Sequence, residues 1–405
     1  MSVKKPQKKI IIVGGGPAGM LAAIELSKTH EVQLFEKGKT LGRKFLVAGK
    51  GGFNLTNHLT GAELSANYSP NSLFGNALKN FDSSQTRSWL KDLGIPTYVG
   101  SSGRVFPEKG IKPIQVLNAL KDRLCVQHAQ VHYEHEFVDF TSKKIRFLHK
   151  GVLVECAYDN CIFALGGASW SVTGSKGDWL NTFEKKGLQT RPFEPSNCGL
   201  NCEFPIDFLK NHVGKPLKNI RISCQGTTVK GEAVVSSYGL EGNAVYPISK
   251  IVRNALKQCQ QVSVEVDLKP FNTELQLLQK VTPKTLPKNY AYLFKLTKTQ
   301  IDFAKAHTDK ETYLNALLFA KVLKKLTVPV QGLRSVEEAI STVGGIDSEE
   351  LSSDFSLKKI PNIYCVGEMF DWDTVTGGYL LQGCFSSAFA AAKAIANPTP
   401  NRSLN

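Results

Sequence analysis

The first forty residues alternate between short apolar runs and polar breaks. Residues 9–13 form an apolar, β-branched run that predicts a strand, Met20, Leu21 and Ile24 follow helical spacing, and residues 32–35 predict a second strand. Glycines separate the first strand from the helix. This order of strand, helix and strand is typical of an α/β fold.

The pattern changes twice along the rest of the chain. Helical spacing at residues 76–93 and from Pro113 onward is followed by alternation at 126–163, which predicts antiparallel strands. Prolines then interrupt short apolar runs up to residue 267, as in a small β domain, and residues 269–326 are mostly helical in pattern. Strand signals return at 340–346 and 363–366, before a last helix at 379–396.

These changes predict one domain that is interrupted by an insertion. Residues 1–190 and 346–405 are expected to form its two parts. Within the insertion we expect a β domain at 191–268, a lysine-rich helical subdomain at 269–328 and a return segment at 329–345.

Composition narrows the class of protein. The chain is 42% hydrophobic and 21% charged, which is ordinary for a soluble globular protein. No apolar run is long enough to cross a membrane. The nine cysteines are an odd number without close pairs, which favours free thiols and a cytoplasmic location over a disulfide framework.

Positive charge is unevenly distributed. Lysine and arginine number 50 against 35 acidic residues, a net charge of +15, and residues 269–325 alone hold eleven lysines and four acidic residues. Such a segment would attract an anionic partner: a phosphorylated cofactor, an acidic substrate or nucleic acid. The absence of arginine, which binds phosphate better than lysine, favours a solvated helical face instead, and the sequence leaves both interpretations open.

The glycines of the first turn carry the strongest functional signal. Gly14, Gly16 and Gly19 have the G-x-G-x-x-G spacing between a strand and a helix, which allows a tight turn, close approach of a pyrophosphate and close packing of the helix. Glu36 ends the second strand, where a carboxylate can bind both hydroxyls of an unphosphorylated ribose. The pattern predicts a dinucleotide site and suits NAD and FAD equally.

The C-terminal segment distinguishes these two cofactors. A strand there ends in Gly367 and Glu368, and Gly377 and Gly378 open a long helix. The positive end of a helix dipole suits the negative charge that a reduced flavin gathers at its N1 edge. Two helix N-termini, one for each end of a long cofactor, favour FAD.

Five motifs, taken in order, resemble a known family. These are the glycine turn with Glu36, Gly42-Arg43-Lys44 with GKGGFNLTN at 49–57, GRVFP at 103–107, ALGG at 164–167, and Gly367-Glu368 with GGYLLQ at 377–382. Over essentially its whole length the chain resembles bacterial FAD-dependent oxidoreductases of the aminoacetone oxidase and bile-acid reductase (BaiN-like) type. The usual pattern of that group has Arg-Cys where this chain has Gly52-Phe53. The difference suggests a separate branch of the group.

The resemblance implies an α/β fold: a Rossmann-type FAD-binding domain, similar to that of glutathione reductase, interrupted by a flattened β-barrel and a small helical subdomain. It places Arg43 and Lys44 near the pyrophosphate and ribityl chain, and Asn54 and Thr56 beside the isoalloxazine ring. With the motifs above, the predicted cofactor-binding residues are Gly14, Gly16, Pro17, Ala18, Gly19, Glu36, Lys37, Arg43, Lys44, Asn54, Thr56, Gly166, Gly367, Glu368, Gly377, Gly378, Tyr379 and Leu380.

Candidates for the chemistry itself are few. Asn54, His58 and Arg104 adjoin the flavin motifs and are the candidate catalytic residues. His58 and Arg104 could position an acidic substrate, and a structural or solvent-facing role suits them equally. Cys384 more simply fits helix packing, and Asp371 and Asp373 suit a turn before the last helix as well as acid or base chemistry. Histidines at 128, 132 and 135 do not share one strand face, so we expect no metal site.

These observations predict an FAD-dependent oxidoreductase that acts on a small organic substrate. NAD(P)H is the expected reductant, and it would bind transiently because the chain has no second G-x-G-x-x-G. A flavin-dependent enzyme that modifies or binds RNA is the alternative, because the chain is strongly basic.

Overall fold

A computed structural model of the chain describes residues 7–47, 52–258 and 261–398. Two units can be separated within them, one from residues 1–194 and 341–405 and the other from residues 195–340. Each unit is built around a hydrophobic core of its own.

The described helices are, in chain order, α1 (Pro17–Leu26), α2 (Arg43–Val47), α3 (Gly61–Ser65), α4 (Asn71–Asn80), α5 (Ser83–Asp92), α6 (Pro113–Val126), α7 (Leu180–Glu184), α8 (Ile206–His212), α9 (Tyr246–Gln258), α10 (Glu274–Leu278), α11 (Tyr290–Leu293), α12 (Lys298–Ala306), α13 (Lys310–Leu314), α14 (Ala316–Val322) and α15 (Tyr379–Ala396). Short 3-10 turns lie at Ser171–Thr173, Pro287–Asn289, Val336–Glu338, Ser348–Glu350 and Gly367–Met369.

The described strands are β1 (Lys9–Val13), β2 (Glu31–Phe35), β3 (Thr56–Asn57), β4 (Tyr68–Ser69), β5 (Thr97–Val99), β6 (Arg104–Pro107), β7 (Gln130–His132), β8 (His135–Phe140), β9 (Lys144–His149), β10 (Val152–Ala157), β11 (Asn160–Phe163), β12 (Thr190–Ser196), β13 (Leu200–Asn201), β14 (Pro216–Cys224), β15 (Thr227–Ser236), β16 (Gly239–Glu241), β17 (Val262–Asp267), β18 (Leu326–Val330), β19 (Gly332–Leu333), β20 (Ser341–Ile346), β21 (Ile363–Cys365) and β22 (Asp373–Thr374).

A parallel sheet of five strands forms the centre of the first unit. Its order is β21-β11-β1-β2-β7, and the central strand β1 pairs Ile12 with Leu34 of β2 and Ile162 of β11. Residues 10–13 are buried because strands inside a parallel sheet are covered on both faces. The predicted strand, helix and strand at the N-terminus are confirmed.

The C-terminal segment completes this unit, as the sequence predicted. Strand β21 forms one edge of the parallel sheet, and helix α15 packs against α1. Small residues such as Ala388, Ala391 and Ala392 are buried along α15, so two helices can approach closely there.

Two sequence predictions for this unit were inaccurate. The helical pattern at 76–93 is two helices, because Asp82 caps α5 by accepting hydrogen bonds from the amides of Ser84 and Gln85. The alternating region at 126–163 is only partly antiparallel: β8, β9 and β10 form an antiparallel sheet, but β7 and β11 join the parallel sheet. All four residues of β11 are buried, which alternation does not predict.

An antiparallel sheet of seven strands dominates the second unit. Its order is β18-β17-β14-β15-β16-β13-β19, and only Gln331 separates the two edge strands β18 and β19 along the chain. The predicted helical region contains the short helices α10 to α14. Its aromatic side chains Tyr290, Phe294, Phe303 and Phe319 belong to the core.

Two further sequence expectations concern location. Within the described residues, no helix has the length and apolarity needed to cross a bilayer. The eight described cysteines are all free thiols.

Candidate functional site

The glycine turn between β1 and α1 has the geometry that its sequence predicted. Gly14 has φ +109°, and a Cβ atom on it would lie 2.2 Å from the carbonyl oxygen of Ala164. A Cβ on Gly19 would lie 1.9 Å from the carbonyl oxygen of Gly14. A Cβ on Gly16 would meet no atom within 4 Å. Two glycines therefore permit close backbone packing, and the third borders open space.

This open space is a cleft of about 390 Å³ at the carboxyl ends of the parallel strands. Its walls come from both ends of the first unit's chain. Eleven of the predicted cofactor residues line it, namely Gly14, Gly16, Pro17, Ala18, Glu36, Lys37, Arg43, Lys44, Gly166, Gly367 and Glu368. Ligands of open α/β sheets bind at this edge.

Glu36 is held by two backbone amides. One carboxylate oxygen accepts from the Gly15 amide at 2.8 Å and the other from the Gly38 amide at 2.7 Å. Each oxygen keeps a second lone pair that can accept a hydroxyl. Lys37, the next residue, also lines the cleft.

Lys44 and Glu368 form an ion pair across the cleft wall. The Lys44 Nζ lies 3.0 Å from a Glu368 carboxylate oxygen and 2.7 Å from the Ser169 hydroxyl. The other Glu368 oxygen accepts from the Thr342 amide at 3.1 Å. The Arg43 guanidinium donates to the Val172 carbonyl at 2.9 Å. The pair brings residue 44 together with a residue 324 positions later in the chain.

Cys384 on α15 also lines the cleft, although it was not among the cofactor residues predicted from the sequence. Burial raises the pKa of its thiol, and the nearby Glu368 carboxylate raises it further while Lys44 opposes the shift. The thiol therefore stays protonated at neutral pH, which makes it a poor nucleophile. Packing remains its best-supported role.

A second group of predicted residues surrounds the start of α15, outside the cleft lining. A Cβ on Gly378 would lie 2.2 Å from the carbonyl oxygen of Thr56, so the two backbones touch. Hydrogen bonding orients the Asn54 amide to donate to the Gly52 carbonyl at 3.1 Å and to accept from the Gly378 amide at 2.5 Å. Tyr379 is buried and Leu380 is half-buried. Residues 48–51, which include the start of the predicted loop at 49–57, lie outside the described residues.

Gln382 joins this group through a buried network that the sequence did not indicate. Its side-chain oxygen accepts from the hydroxyls of Thr56 at 2.6 Å and Thr86 at 2.9 Å. Its nitrogen donates to the Phe81 carbonyl and the Ser386 hydroxyl, each at 2.9 Å. Every polar atom of this fully buried amide is used, which fixes the start of α15 to residues 56–86.

The three candidate catalytic residues differ in their surroundings. Asn54 holds the Gly378 amide, and His58 is exposed with its Nδ1 3.2 Å from the Gly103 carbonyl. Arg104 is half-buried, and no described residue pairs its guanidinium with a hydrogen bond or ion pair. The Arg104 side chain lies beside Gly377. A Cβ atom on Gly377 would be 3.6 Å from the Arg104 Nε and 3.5 Å from a ring carbon of Tyr379.

Other titratable candidates have structural partners. Asp371 forms an ion pair with Arg191 at 3.0 Å, and burial raises the pKa of its carboxyl. The rings of His132 and His135 pack on Phe35. Among the described residues, no group of histidine, cysteine and acidic side chains could hold a metal ion. Phe53, at the position of the family's cysteine, is buried edge to face on Phe45.

Sequence reasoning missed two parts of the cleft wall, one of which is formed by residues 135–137 of β8. The segment that follows the ALGG motif contributes Thr173, Gly174, Ser175, Lys176 and Trp179. The glycines at 174 and 177 were the available sequence signal for a sharp turn in this segment. Both have positive φ in the structure.

The residues present fit a dinucleotide. No side chain caps the N-terminus of α1, whose N-cap is Gly16, so its first amides are available to a phosphate. The open space at Gly16 is the volume that a side chain would fill and a pyrophosphate could occupy. Glu36, at the end of β2, is placed for a ribose.

The parallel sheet, the glycine turn and the Glu36 carboxylate define a Rossmann-type dinucleotide-binding domain. The family to which the chain belongs is one of FAD-dependent oxidoreductases. The chain belongs to the family described as HI0933-like protein Rossmann domain, whose model matches residues 8–394. This family membership confirms the resemblance that the sequence motifs carried.

Three characterised relatives align over almost their whole length. The 3-dehydro-bile acid delta(4,6)-reductase of Clostridium scindens is 23% identical, with 96% of this chain and 99% of that protein covered. The ribosomal RNA dihydrouridine synthase of Haemophilus influenzae is 26% identical, covering 95% of this chain and 98% of its own. That of Escherichia coli is also 26% identical, covering 95% and 96%.

Solved structures support the fold. The 3-ketosteroid delta1-dehydrogenase from Sterolibacterium denitrificans matches with a TM-score of 0.54 at 12% identity, covering 97% of this chain and 100% of that one. The 3-ketosteroid-delta4-(5alpha)-dehydrogenase from Rhodococcus jostii RHA1 matches with a TM-score of 0.52 at 12% identity, covering 98% of each. The likeness concerns the fold alone.

Proposed function

We propose that this protein uses FAD to add two hydrogens across a C=C bond conjugated with a carbonyl group in a small organic substrate, with NAD(P)H as the electron donor. The observation that carries the proposal is the cleft, where the glycine turn and the C-terminal Gly367-Glu368 motif face the same space. The names of the relatives support reduction as the direction of the reaction. One is named a reductase, and the other is named for making dihydrouridine, a reduced base.

The names of these relatives share one chemistry. Dihydrouridine is uridine with two hydrogens added at C5 and C6, a double bond conjugated with the C4 carbonyl. A 3-oxo bile acid with double bonds at C4 and C6 also conjugates C=C bonds with a carbonyl. In the reaction that we propose for this protein, a hydride adds to the carbon remote from the carbonyl and a proton from solvent to the nearer one, while NAD(P)H becomes NAD(P)⁺.

The proposed roles of the residues follow from their contacts. Gly16 and the first amides of α1 would hold the pyrophosphate, and Glu36 the ribose of the adenosine. The Lys44–Glu368 pair would border the ribityl chain, and the Asn54–Gly378 contact would fix the amides at the start of α15. Bound FAD would supply hydride transfer.

Arg104 is the proposed contact for the substrate carbonyl. Its guanidinium is half-buried without a described partner, beside the turn that opens α15. A cation there would stabilise the negative charge that develops on the carbonyl oxygen as hydride adds to the conjugated carbon. His58 and Tyr379 would shape the same end of the site.

The domain division predicted from the sequence is also part of the proposal. Its boundaries are 1–190, 191–268, 269–328, 329–345 and 346–405. We also propose that the seven-stranded sheet is the flattened barrel expected for the insertion. The short connection between its edge strands through Gln331 supports this interpretation.

The test uses the purified full-length protein. Yellow colour and flavin absorbance would support the cofactor assignment, and anaerobic bleaching by NADH or NADPH the donor. The reduced protein is then offered a 4-en-3-oxo steroid, and the product is examined by mass spectrometry for two added hydrogens. A chain without flavin, or a reduced flavin that passes no hydride to any conjugated ketone or uracil base, would contradict the proposal.

Uridine in ribosomal RNA is the second candidate substrate. Two relatives carry that activity in their names, and the chain has a net charge of +15. Unmodified ribosomal RNA would be incubated with the protein and NADPH, digested to nucleosides and analysed for dihydrouridine. Formation of dihydrouridine without reduction of the steroid would select this candidate.

A further inference from the structure

The lysine-rich helical part of the second unit has exposed aromatic side chains beside its lysines. Phe271 is 78% exposed and Tyr292 is 85% exposed, whereas Tyr290, Phe294 and Phe319 of the same region belong to the core. Phe271 and Tyr292 are the two most exposed large apolar side chains among the described residues. The two exposed rings are not needed for the core of this unit.

Backbone and side-chain contacts bring the two rings into one neighbourhood. The Lys269 Nζ donates to the Lys295 carbonyl at 2.5 Å. Phe271 lies in the turn closed by the Asn272 amide on the Lys269 carbonyl, and the Lys295 amide donates to the Tyr292 carbonyl. Phe271 is two residues from Lys269, and Tyr292 is three residues from Lys295. Both rings therefore lie close to the hydrogen bond that joins Lys269 to Lys295.

Positive charge surrounds the two rings. Residues 269–298 contain six lysines and a single acidic residue, Glu274. Among the described residues, none of these six lysines forms an ion pair with a carboxylate. Burial lowers the pKa of Lys269, and repulsion from Lys280 and Lys295 lowers it further, which agrees with three ammonium groups lying close together.

We propose that Phe271, Tyr292, Lys269, Lys280 and Lys295, the aromatic–lysine cluster, bind single-stranded RNA. Lysines without a carboxylate partner attract the phosphates, and exposed rings stack on unpaired bases whatever their sequence. Single-stranded RNA fits both features, because each of its nucleotides carries a phosphate for a lysine and a base that can stack on a ring. The inference bears on the second candidate substrate and concerns binding, which can be measured apart from the reaction.

The test measures binding of the full-length flavin-loaded protein to a fluorescein-labelled single-stranded RNA by anisotropy over a series of salt concentrations. In Phe271→Ala/Tyr292→Ala the affinity is expected to fall by about tenfold or more, as loss of base stacking does. In Lys280→Gln/Lys295→Gln the slope of log affinity against log salt is expected to become shallower by about 1.4, or about 0.7 for each lost phosphate contact.

Matched controls come from the same unit. Ile206→Ala/Val213→Ala removes two apolar side chains that are 71% and 50% exposed, and Lys215→Gln/Lys230→Gln removes two exposed lysines. Both controls should retain the affinity and salt slope of the parent protein. Equal binding by the aromatic variant and its control would overturn the proposal.

Two other outcomes would also overturn it. Polyglutamate that competes as well as RNA would identify an acidic protein as the partner, and a dimer that dissociates in Phe271→Ala/Tyr292→Ala on sedimentation would show that a second copy covers the rings. Flavin content and the rate of flavin reduction by NADPH are recorded on the same samples. Their loss in the parent protein would count against the proposed reductase and not against RNA binding.

Discussion

The three motif glycines of the first turn, Gly14, Gly16 and Gly19, have two different roles. Gly14 and Gly19 allow backbone atoms to approach so closely that no side chain fits, whereas Gly16 faces the open cleft. A substitution at Gly16 therefore tests cofactor binding without disturbing the fold. A substitution at Gly14 or Gly19 would disturb both.

Gly16→Ala should fold normally and lose FAD. Its Cβ would meet no protein atom within 4 Å, but it would occupy the space proposed for the pyrophosphate. We expect a melting temperature equal to that of the parent apoprotein and little or no flavin after purification. Gly14→Ala is the matched control: its Cβ would collide with the Ala164 carbonyl, so this variant should be unstable even without cofactor. Normal flavin content in Gly16→Ala would contradict the assignment.

Glu36→Gln tests the ribose contact. The glutamine side chain has one oxygen acceptor, and its NH2 group would face the backbone N–H of Gly15 or Gly38. One backbone hydrogen bond is therefore lost, together with one charge-assisted contact to the ribose. We expect the dissociation constant for FAD to rise by roughly tenfold or more, measured by flavin fluorescence on titration. Glu63→Gln, at an exposed position on α3, should leave it unchanged.

Helix α12 shows how one element of the second unit responds to pH. His307 ends this helix, packs its ring 4.4 Å from that of Phe303 and has its Nδ1 2.8 Å from the Phe303 carbonyl. Burial lowers the pKa of His307, and the hydrogen bond to the carbonyl only partly opposes that shift. The folded protein therefore keeps this side chain neutral at a pH where the unfolded chain protonates it.

The free energy of unfolding should fall as the pH drops below the ordinary histidine pKa of 6.5. The unfolded state then binds more protons than the folded state, at a cost of up to about 1.4 kcal/mol per pH unit for this group. Urea unfolding at about pH 7.5 and about pH 5.5 would measure the loss. It should be smaller in His307→Phe and unchanged in His128→Asn, whose parent side chain is exposed. An equal loss in His307→Phe would exclude this histidine as a source.

Elements that the sequence predicted correctly are those specified by local chemistry. The apolar strand β1, the glycine turn and Glu36 follow each other closely in the chain, so spacing alone places them. The individual side-chain contacts between distant segments could not be predicted, although the sequence did predict that the C-terminal segment completes the first unit. The Gln382 side chain accepts hydrogen bonds from the Thr56 and Thr86 hydroxyls. Glutamine and threonine are common, and their spacing in the sequence does not indicate that the fold brings these three residues together.

At the scale of the whole molecule, the insertion leaves and rejoins the chain at nearly one point. The Ile340 amide donates to the Asn197 carbonyl at 3.2 Å, and the flanking strands β12 and β20 pair with each other. Replacing residues 198–339 with a short glycine linker should therefore leave the first unit able to fold and bind FAD. Flavin content of the shortened protein measures this, and RNA binding should be lost. An insoluble, colourless product would show that the first unit depends on the insertion.

The pairing of β21 and α15 with elements from the start of the chain has a consequence for synthesis. A ribosome must translate past residue 363 before the edge of the parallel sheet exists, and close to residue 396 before α1 gains its partner helix. A polypeptide that stops before residue 367 has the glycine turn but lacks the Gly367, Glu368 and Cys384 wall of the cleft, so we expect it not to retain flavin. Acquisition of the cofactor would then report that the ribosome has translated α15.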